Sequence, residues 1–236
     1  MASVISPGRI ACVCKLIPAG VRFHVASGVE NFRVNQLGAE EDLMHRMLGE
    51  ISPGDVFYDV GASIGMAGIH AAAAGASVVA FEPDPHIAGR LRQNADLNPG
   101  IDLTVVEAAV AEKQGWMELH TNGLHGNSPS LRSVGDRPTT RVRVTSIDET
   151  IATGYPKPRI MKIDVEGAEV RVIRGMDNLL RSAPPKVLYI EVHPEFLPMF
   201  GDSIEELRAR LEEAGLRRDF STGRFSQIHE IYRLAA

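Results

Sequence analysis

Residues 55–83, DVFYDVGASIGMAGIHAAAAGASVVAFEP, constrain the fold more than any other stretch of this chain. One apolar run ends in Asp-Val-Gly, a small-residue segment of helical composition follows, and a second apolar run ends in Phe-Glu-Pro. A strand apolar at nearly every position is buried on both faces, and two such strands joined by a helix are parallel neighbours in one sheet. The unit therefore predicts an α/β protein, with a ligand site outside the carboxyl ends of the strands.

The alternation continues downstream. PHIAGRLRQNADLN places Ile87, Leu91 and Ala95 on one helical face, and DLTVVEAAV reads as a third strand. GWMELH and TRVRVTSI read as an inserted strand pair around the polar segment TNGLHGNSPSLRSVGDRPT. RIMKIDV and KVLYIEVH are a fourth and a fifth core strand, with GAEVRVIRGMDNLLRS as one helix between them. SIEELRARLEEAG has Ser203 as N-cap and Glu206 three residues on, a capping-box pattern. LRRDFS and QIHEIYRL close the chain as strands. Upstream, VRFHVAS alternates as a strand, and Leu43, Met44, Met47, Leu48 and Ile51 have helical spacing. We expect residues 1–52 to form an N-terminal extension packed on the core. Residues 53–236 form the main domain, with the inserted pair and polar loop at about 115–145.

The glycines of the first turn fall at Gly61, Gly65 and Gly68, which is not the G-x-G-x-x-G of a dinucleotide site. Ser63 stands where the second glycine lets a backbone approach a pyrophosphate. Asp59 puts a negative charge beside the loop, unfavourable for phosphate and suited to an ammonium group. Glu82 follows Gly61 by 21 residues, at the end of the next strand, where a carboxylate takes ribose hydroxyls. A nucleoside with a charged amino-acid tail has these properties, and S-adenosylmethionine is one. The alternatives are an NAD-dependent oxidoreductase, disfavoured by the missing glycine, and a non-catalytic module that only binds S-adenosylmethionine.

FYDVGASIG, VVAFEPDP, LRQNADLN, AAVAE, VTSIDE and IMKIDVEGAEVRVIRG, in this order, resemble the FkbM-type S-adenosylmethionine-dependent methyltransferases over about residues 50–195. The resemblance implies a Rossmann-like, seven-stranded, mostly parallel sheet with helices on both faces. It also implies O-methylation of a hydroxyl on a small molecule or sugar. By motif position, Asp59, Gly61 and Gly65 form the methionine-side loop and Glu82 with Pro83 binds the ribose side. Ser63 replaces the usual Asn, and TSID replaces the usual Thr-Leu-Asp.

A hydroxyl acceptor needs its proton removed, by a general base or with help from a metal. Strand alternation puts Lys162 with Asp164 on one face, and Glu191 with His193 on one face. We expect Asp164, Glu191 and His193 to converge on the acceptor. Asp164 positions it, and His193 takes the proton because an unperturbed imidazole titrates near neutrality. The same three side chains are suitable ligands for a divalent metal, although their spacing is no metal motif. Glu169 reads as a favourable charge at a helix N-terminus, whereas Glu166, open to the same reading, lies closer to the cleft. His120, His125 and Asn127 belong to the polar loop, and Arg208, Arg210, Arg217 and Arg218 to a solvated, ion-paired face.

Composition narrows the remaining choices. A net charge of −5 disfavours nucleic acid as the main partner. No apolar run approaches a membrane span, and the N-terminus lacks a basic region followed by a clean apolar one. The only cysteines, Cys12 and Cys14, are too close to bridge readily, which fits reduced thiols and a cytoplasmic location.

Overall fold

The computed structural model describes residues 9–12, 20–35, 40–121, 138–224 and 226–235. The chain begins with β1 (Arg9–Cys12), β2 (Arg22–Val25), α1 (Gly28–Asn35) and α2 (Glu40–Gly49). The alternating core follows as β3 (Val56–Val60), α3 (Met66–Ala73), β4 (Ser77–Phe81), α4 (Pro85–Asp96) and β5 (Asp102–Val106). Next come β6 (Ala109–Val110), β7 (Gly115–His120), β8 (Thr139–Thr145) and α5 (Ile147–Ala152). The second half holds β9 (Ile160–Ile163), α6 (Glu169–Arg174), α7 (Asp177–Ser182), β10 (Val187–Val192) and α8 (Ile204–Glu213). The hairpin β11 (Leu216–Arg224) and β12 (Gln227–Leu234) ends it.

Seven strands form one sheet in the order β11-β12-β10-β9-β3-β4-β5. The contacts from β10 through β5 are parallel, and β12 runs antiparallel to both its neighbours. Chain order reverses between β3 and β9, so a crevice opens at their carboxyl ends. Alternate residues of each strand feed two cores. Phe57, Val78, Ile160 and Tyr189 pack on one face with Phe23, Val34, Met47 and Ile69 from the lead-in and α3. Tyr58, Val79, Met161 and Leu188 pack on the other with Val172, Leu179 and Leu207.

Local signals explain most boundaries. Asp84 caps α4 by accepting from the His86 and Ile87 N–H groups, with Pro85 in the first turn. Ser146 and Glu149 form a reciprocal capping box on α5, a helix that the strand-like reading of VTSI overlooks. Ser203 caps α8, but the reciprocal carboxylate of Glu206 binds Arg174 and Arg210 instead.

Three expectations need correction. DLTVVEAAV is not one strand: it breaks after Val106, and Ala109–Val110 joins β8 and β7 in a separate three-stranded sheet. The inserted pair is thus part of a three-stranded sheet. GAEVRVIRGMDNLLRS is two helices. At Gly175 an added Cβ would lie 2.1 Å from the Ala111 carbonyl oxygen, so the backbones touch there. Asp148 on α5 then caps α7 through the Asn178 and Leu179 N–H groups. Finally, Arg208 and Arg218 are not merely a solvated face. Both bind Glu230 on β12, a fully buried carboxylate that also accepts from the Tyr232 hydroxyl. No helix among the described residues is long and apolar enough to cross a membrane.

Candidate active site

The turn after β3 is shaped by backbone contact. Gly61 has φ +82°, and a Cβ there would lie 1.8 Å from the Asp164 carbonyl oxygen, so β3 and β9 approach through this glycine. Gly65 has φ +95°, and its Cβ would strike Leu91 and Ile69, so it seats the turn against α3 and α4. Ser63 lies between them in the left-handed region at φ 52°.

Beyond the turn lies an open cleft at the carboxyl ends of the strands. Gly61, Ser63, Phe81, Glu82 and Pro83 line one side; Ala108, Val110 and Leu119 line another; Asp164, Val165 and Glu166 close it. The structure therefore gathers Gly61, Ser63, Glu82, Pro83 and Asp164 around one cleft. Gly65 and Asp59 lie behind it. Asp59 is fully buried, accepts from the Gly68 N–H of α3 at 2.9 Å and pairs with Lys162 at 3.7 Å. Burial raises its pKa, against the opposing pull of Lys162 and the Gly68 N–H.

Glu82 is 3% exposed, and each of its oxygens accepts one backbone N–H, from Ser63 and from Asp84, at 2.9 Å. Burial pushes its pKa up to about 7, although both N–H bonds and the charge of Arg33 oppose the rise. Bonds of this kind leave further lone pairs on the two oxygens. A paired acceptor flanked by Phe81, Pro83, Val110 and Leu119 suits ribose hydroxyls beside a planar base. The residues present therefore fit an adenosine-type cofactor.

At the carboxyl ends of β9 and β10 a charged cluster forms. Lys162 Nζ lies 3.3 Å from Asp164 Oδ2 and 3.5 Å from the Gly61 carbonyl oxygen. Burial would lower the Lys162 pKa, but Asp164, Asp59 and Glu191 raise it well above the ordinary lysine value. Burial would raise Asp164, but Lys162 and His193 hold it below its ordinary value. His193 is 2% exposed, and its Nδ1 lies 2.8 Å from Oε1 of the buried Glu169. Its ring stacks on Phe196 with an interplanar angle of 5°. Its Nε2 is 3.6 Å from both Glu166 and Glu191, and 3.3 Å from the Gln227 side-chain nitrogen. His229 enters from β12, 3.6 Å from Glu191.

Asp164, Glu191 and His193 do come together as expected, each with one ligand-type atom within 4.8 Å of the others. The premise that His193 titrates near neutrality does not hold. Burial depresses it, but the Glu169 bond and the charges of Asp164, Glu169 and Glu166 outweigh burial and raise it to about 9. In this arrangement His193 carries a proton at neutral pH and has no free lone pair to take another.

Other residues at the site had weak or no sequence signal. Glu169 was expected only as a helix-end charge. Glu166 takes a left-handed φ of 55°, and nothing in VEGAE announces that conformation. Arg33 of α1 has its pKa lowered by burial and raised by Glu82, Glu30, Asp164 and Glu166, so the lead-in brings a cation toward the cleft. His120 ends β7; His125 and Asn127 lie outside the described residues.

The methyltransferase FkbM domain family matches residues 59–218. The hexuronic acid methyltransferase AglP of Haloferax volcanii is 32% identical over 188 residues, which are 78% of this chain and 75% of that protein. The 31-O-demethyl-FK506 methyltransferase FkbM of Streptomyces tacrolimicus is 28% identical, over 66% of this chain and 72% of that protein. Among solved structures, magnesium protoporphyrin IX methyltransferase ChlM of Synechocystis PCC 6803, with bound SAM, superposes with a TM-score of 0.52. Its identity is 17%, and the match covers 89% of this chain and 85% of that chain. The putative methyltransferase yhhF of Escherichia coli gives a TM-score of 0.53 at 14% identity, covering 92% and 94% of the two chains. These structural likenesses show a shared class I methyltransferase fold, and the family match sets the oxidoreductase alternative aside. The chain belongs to the methyltransferase FkbM domain family.

Proposed function

We propose that this chain transfers a methyl group from S-adenosylmethionine to the hydroxyl of a sugar or another small molecule. The observation that carries the reading is Glu82: a buried carboxylate, held by two backbone N–H groups, on the wall of a cleft at the switch point of the sheet. When bound, the cofactor supplies a methyl group on a positively charged sulfur. Glu82 accepts its ribose hydroxyls, and Phe81, Pro83, Val110 and Leu119 enclose its base. Asp164 and Glu166 face its ammonium group, while Arg33 offers positive charge to its carboxylate. Asp59 acts from behind, holding the start of α3 and Lys162 in place.

The acceptor lies at the ends of β9 and β10, with its hydroxyl toward Asp164, Glu191 and His193. The protein mainly aligns that oxygen with the methyl carbon, because the donor is already activated. The names of the two relatives, one acting on a hexuronic acid, support a sugar or small-molecule acceptor.

Thermal unfolding with S-adenosylmethionine, S-adenosylhomocysteine or NAD tests the cofactor. At 100 times its dissociation constant, a ligand that binds only the native state stabilises it by about 2.7 kcal/mol. The two adenosyl compounds are expected to raise the midpoint. A rise with NAD alone defeats the reading. A rise with the adenosyl compounds but no methyl transfer to any of a panel of hydroxylated acceptors defeats the catalytic part.

A further inference from the structure

The carboxyl ends of β9 and β10 bring two carboxylates and an imidazole within 4.8 Å of one another. Asp164, Glu166 and Glu191 surround the Nε2 edge of His193, and the buried Glu169 lies behind its Nδ1. We propose that Asp164, Glu191 and His193 bind a divalent cation, Mg²⁺ or Mn²⁺, which takes the acceptor hydroxyl as a further ligand. The ion site stands on its own residues; its role in catalysis rests on the O-methylation proposed above.

Geometry supports the set. Two ligand atoms each about 2.1 Å from one ion can be up to about 4.2 Å apart. His193 Nε2 and Glu191 Oε1, at 3.6 Å, are already within that span. The Asp164 atom, within 4.8 Å of both, needs only a small side-chain rotation. Lys162 engages the same carboxylate through Oδ2 at 3.3 Å.

His193 supplies the independent observation. It is 98% buried, and two contacts outside the ligand set fix its ring: the Glu169 bond to Nδ1 and the stack on Phe196. Both turn Nε2 toward Glu166 and Glu191, each 3.6 Å away, with the Gln227 side-chain nitrogen at 3.3 Å. A carboxylate on one imidazole nitrogen with the other turned toward anionic oxygens is the arrangement that orients a metal-binding histidine. Two hard oxygens and one imidazole suit Mg²⁺ or Mn²⁺, with water and substrate oxygen completing the shell. An ion there makes the acceptor hydroxyl more acidic and points its oxygen along the strand ends. Binding displaces the proton from Nε2, which leaves to solvent as the ion enters.

Mn²⁺ titration of the full chain, followed by electron paramagnetic resonance, tests the site. The expected result is one bound Mn²⁺ per chain, with echo modulation from an imidazole nitrogen. Asp164→Asn and Glu191→Gln should each weaken binding about tenfold or more. Glu169→Gln, which touches no ion, should also weaken it, within the 10–100-fold cost of about that size typical of such orienting partners. His193→Gln should remove the nitrogen modulation. The surface variant Glu107→Gln should bind as wild type does. Retained S-adenosylhomocysteine binding by Glu191→Gln shows that this variant is folded. Absence of bound Mn²⁺, or equal binding by wild type, Asp164→Asn and Glu191→Gln, overturns the proposal. Wild type that binds S-adenosylhomocysteine but no Mn²⁺ overturns the ion alone. Wild type that binds Mn²⁺ but no adenosyl compound supports the ion and defeats the cofactor reading.

Discussion

Glu82 ties the affinity for an adenosyl ligand to pH. Ribose hydroxyls donate best to an ionised carboxylate, and burial has moved this one to about 7. Below that value the carboxyl is protonated and a ligand must first pull the proton off; above it no such cost arises. S-adenosylhomocysteine is therefore expected to bind roughly tenfold more weakly at pH 6 than at pH 8. Calorimetric titration at both pH values checks this, and Glu82→Gln should bind weakly with little pH dependence. Gly61 gives a second prediction at this scale. Gly61→Ala forces a Cβ against the Asp164 carbonyl at a positive φ, so denaturant unfolding should show a loss of about 2–4 kcal/mol. Both residues stand out in the sequence because their roles follow from a turn and a strand end. The shift of His193 does not stand out, since it depends on Glu169, 24 residues earlier in the chain and behind the imidazole ring.

Among elements, α4 shows how a motif residue serves the site without reaching it. Asp84 in FEPDP caps α4 and also accepts from the Thr121 hydroxyl, beside the last residues of the inserted sheet's first hairpin strand. Asp84→Ala should cost about 1–2 kcal/mol in thermal or denaturant unfolding and leave Glu82 in place. The central strands β3, β4, β9 and β10 were legible because each is a largely apolar run, as a sheet covered on both faces requires. The break between α6 and α7 was not. Its cause is contact with Ala111 and a cap from Asp148, both supplied by other elements. Likewise α1 was missed: its apolar face is narrow, and Glu30 earns its buried place by pairing with Arg90 on α4 at 2.7 Å.

Across the whole molecule, the lead-in and the main domain share a core. Phe23, Val25, Val34, Met47 and Leu48 are buried in the same cluster as Phe57, Ile69 and Tyr189. A chain beginning at residue 53 should therefore be less stable by several kcal/mol, or aggregate, because it exposes the partners of those five side chains. Denaturant unfolding of the shortened and full chains checks this; equal stability would mean that the extension is a separate unit. The sheet order follows from alternation and right-handed crossovers, whereas the boundary near residue 52 described sequence similarity rather than the division of the core.

The reversed direction of β12 bears on how the site is completed. Because this strand runs against its neighbours, its first residues, Gln227 and His229, meet the end of β10. Glu191 and His193 therefore take their last neighbours from the β11–β12 hairpin, so disturbing that hairpin should act on the acceptor end of the cleft before the wall that holds Glu82.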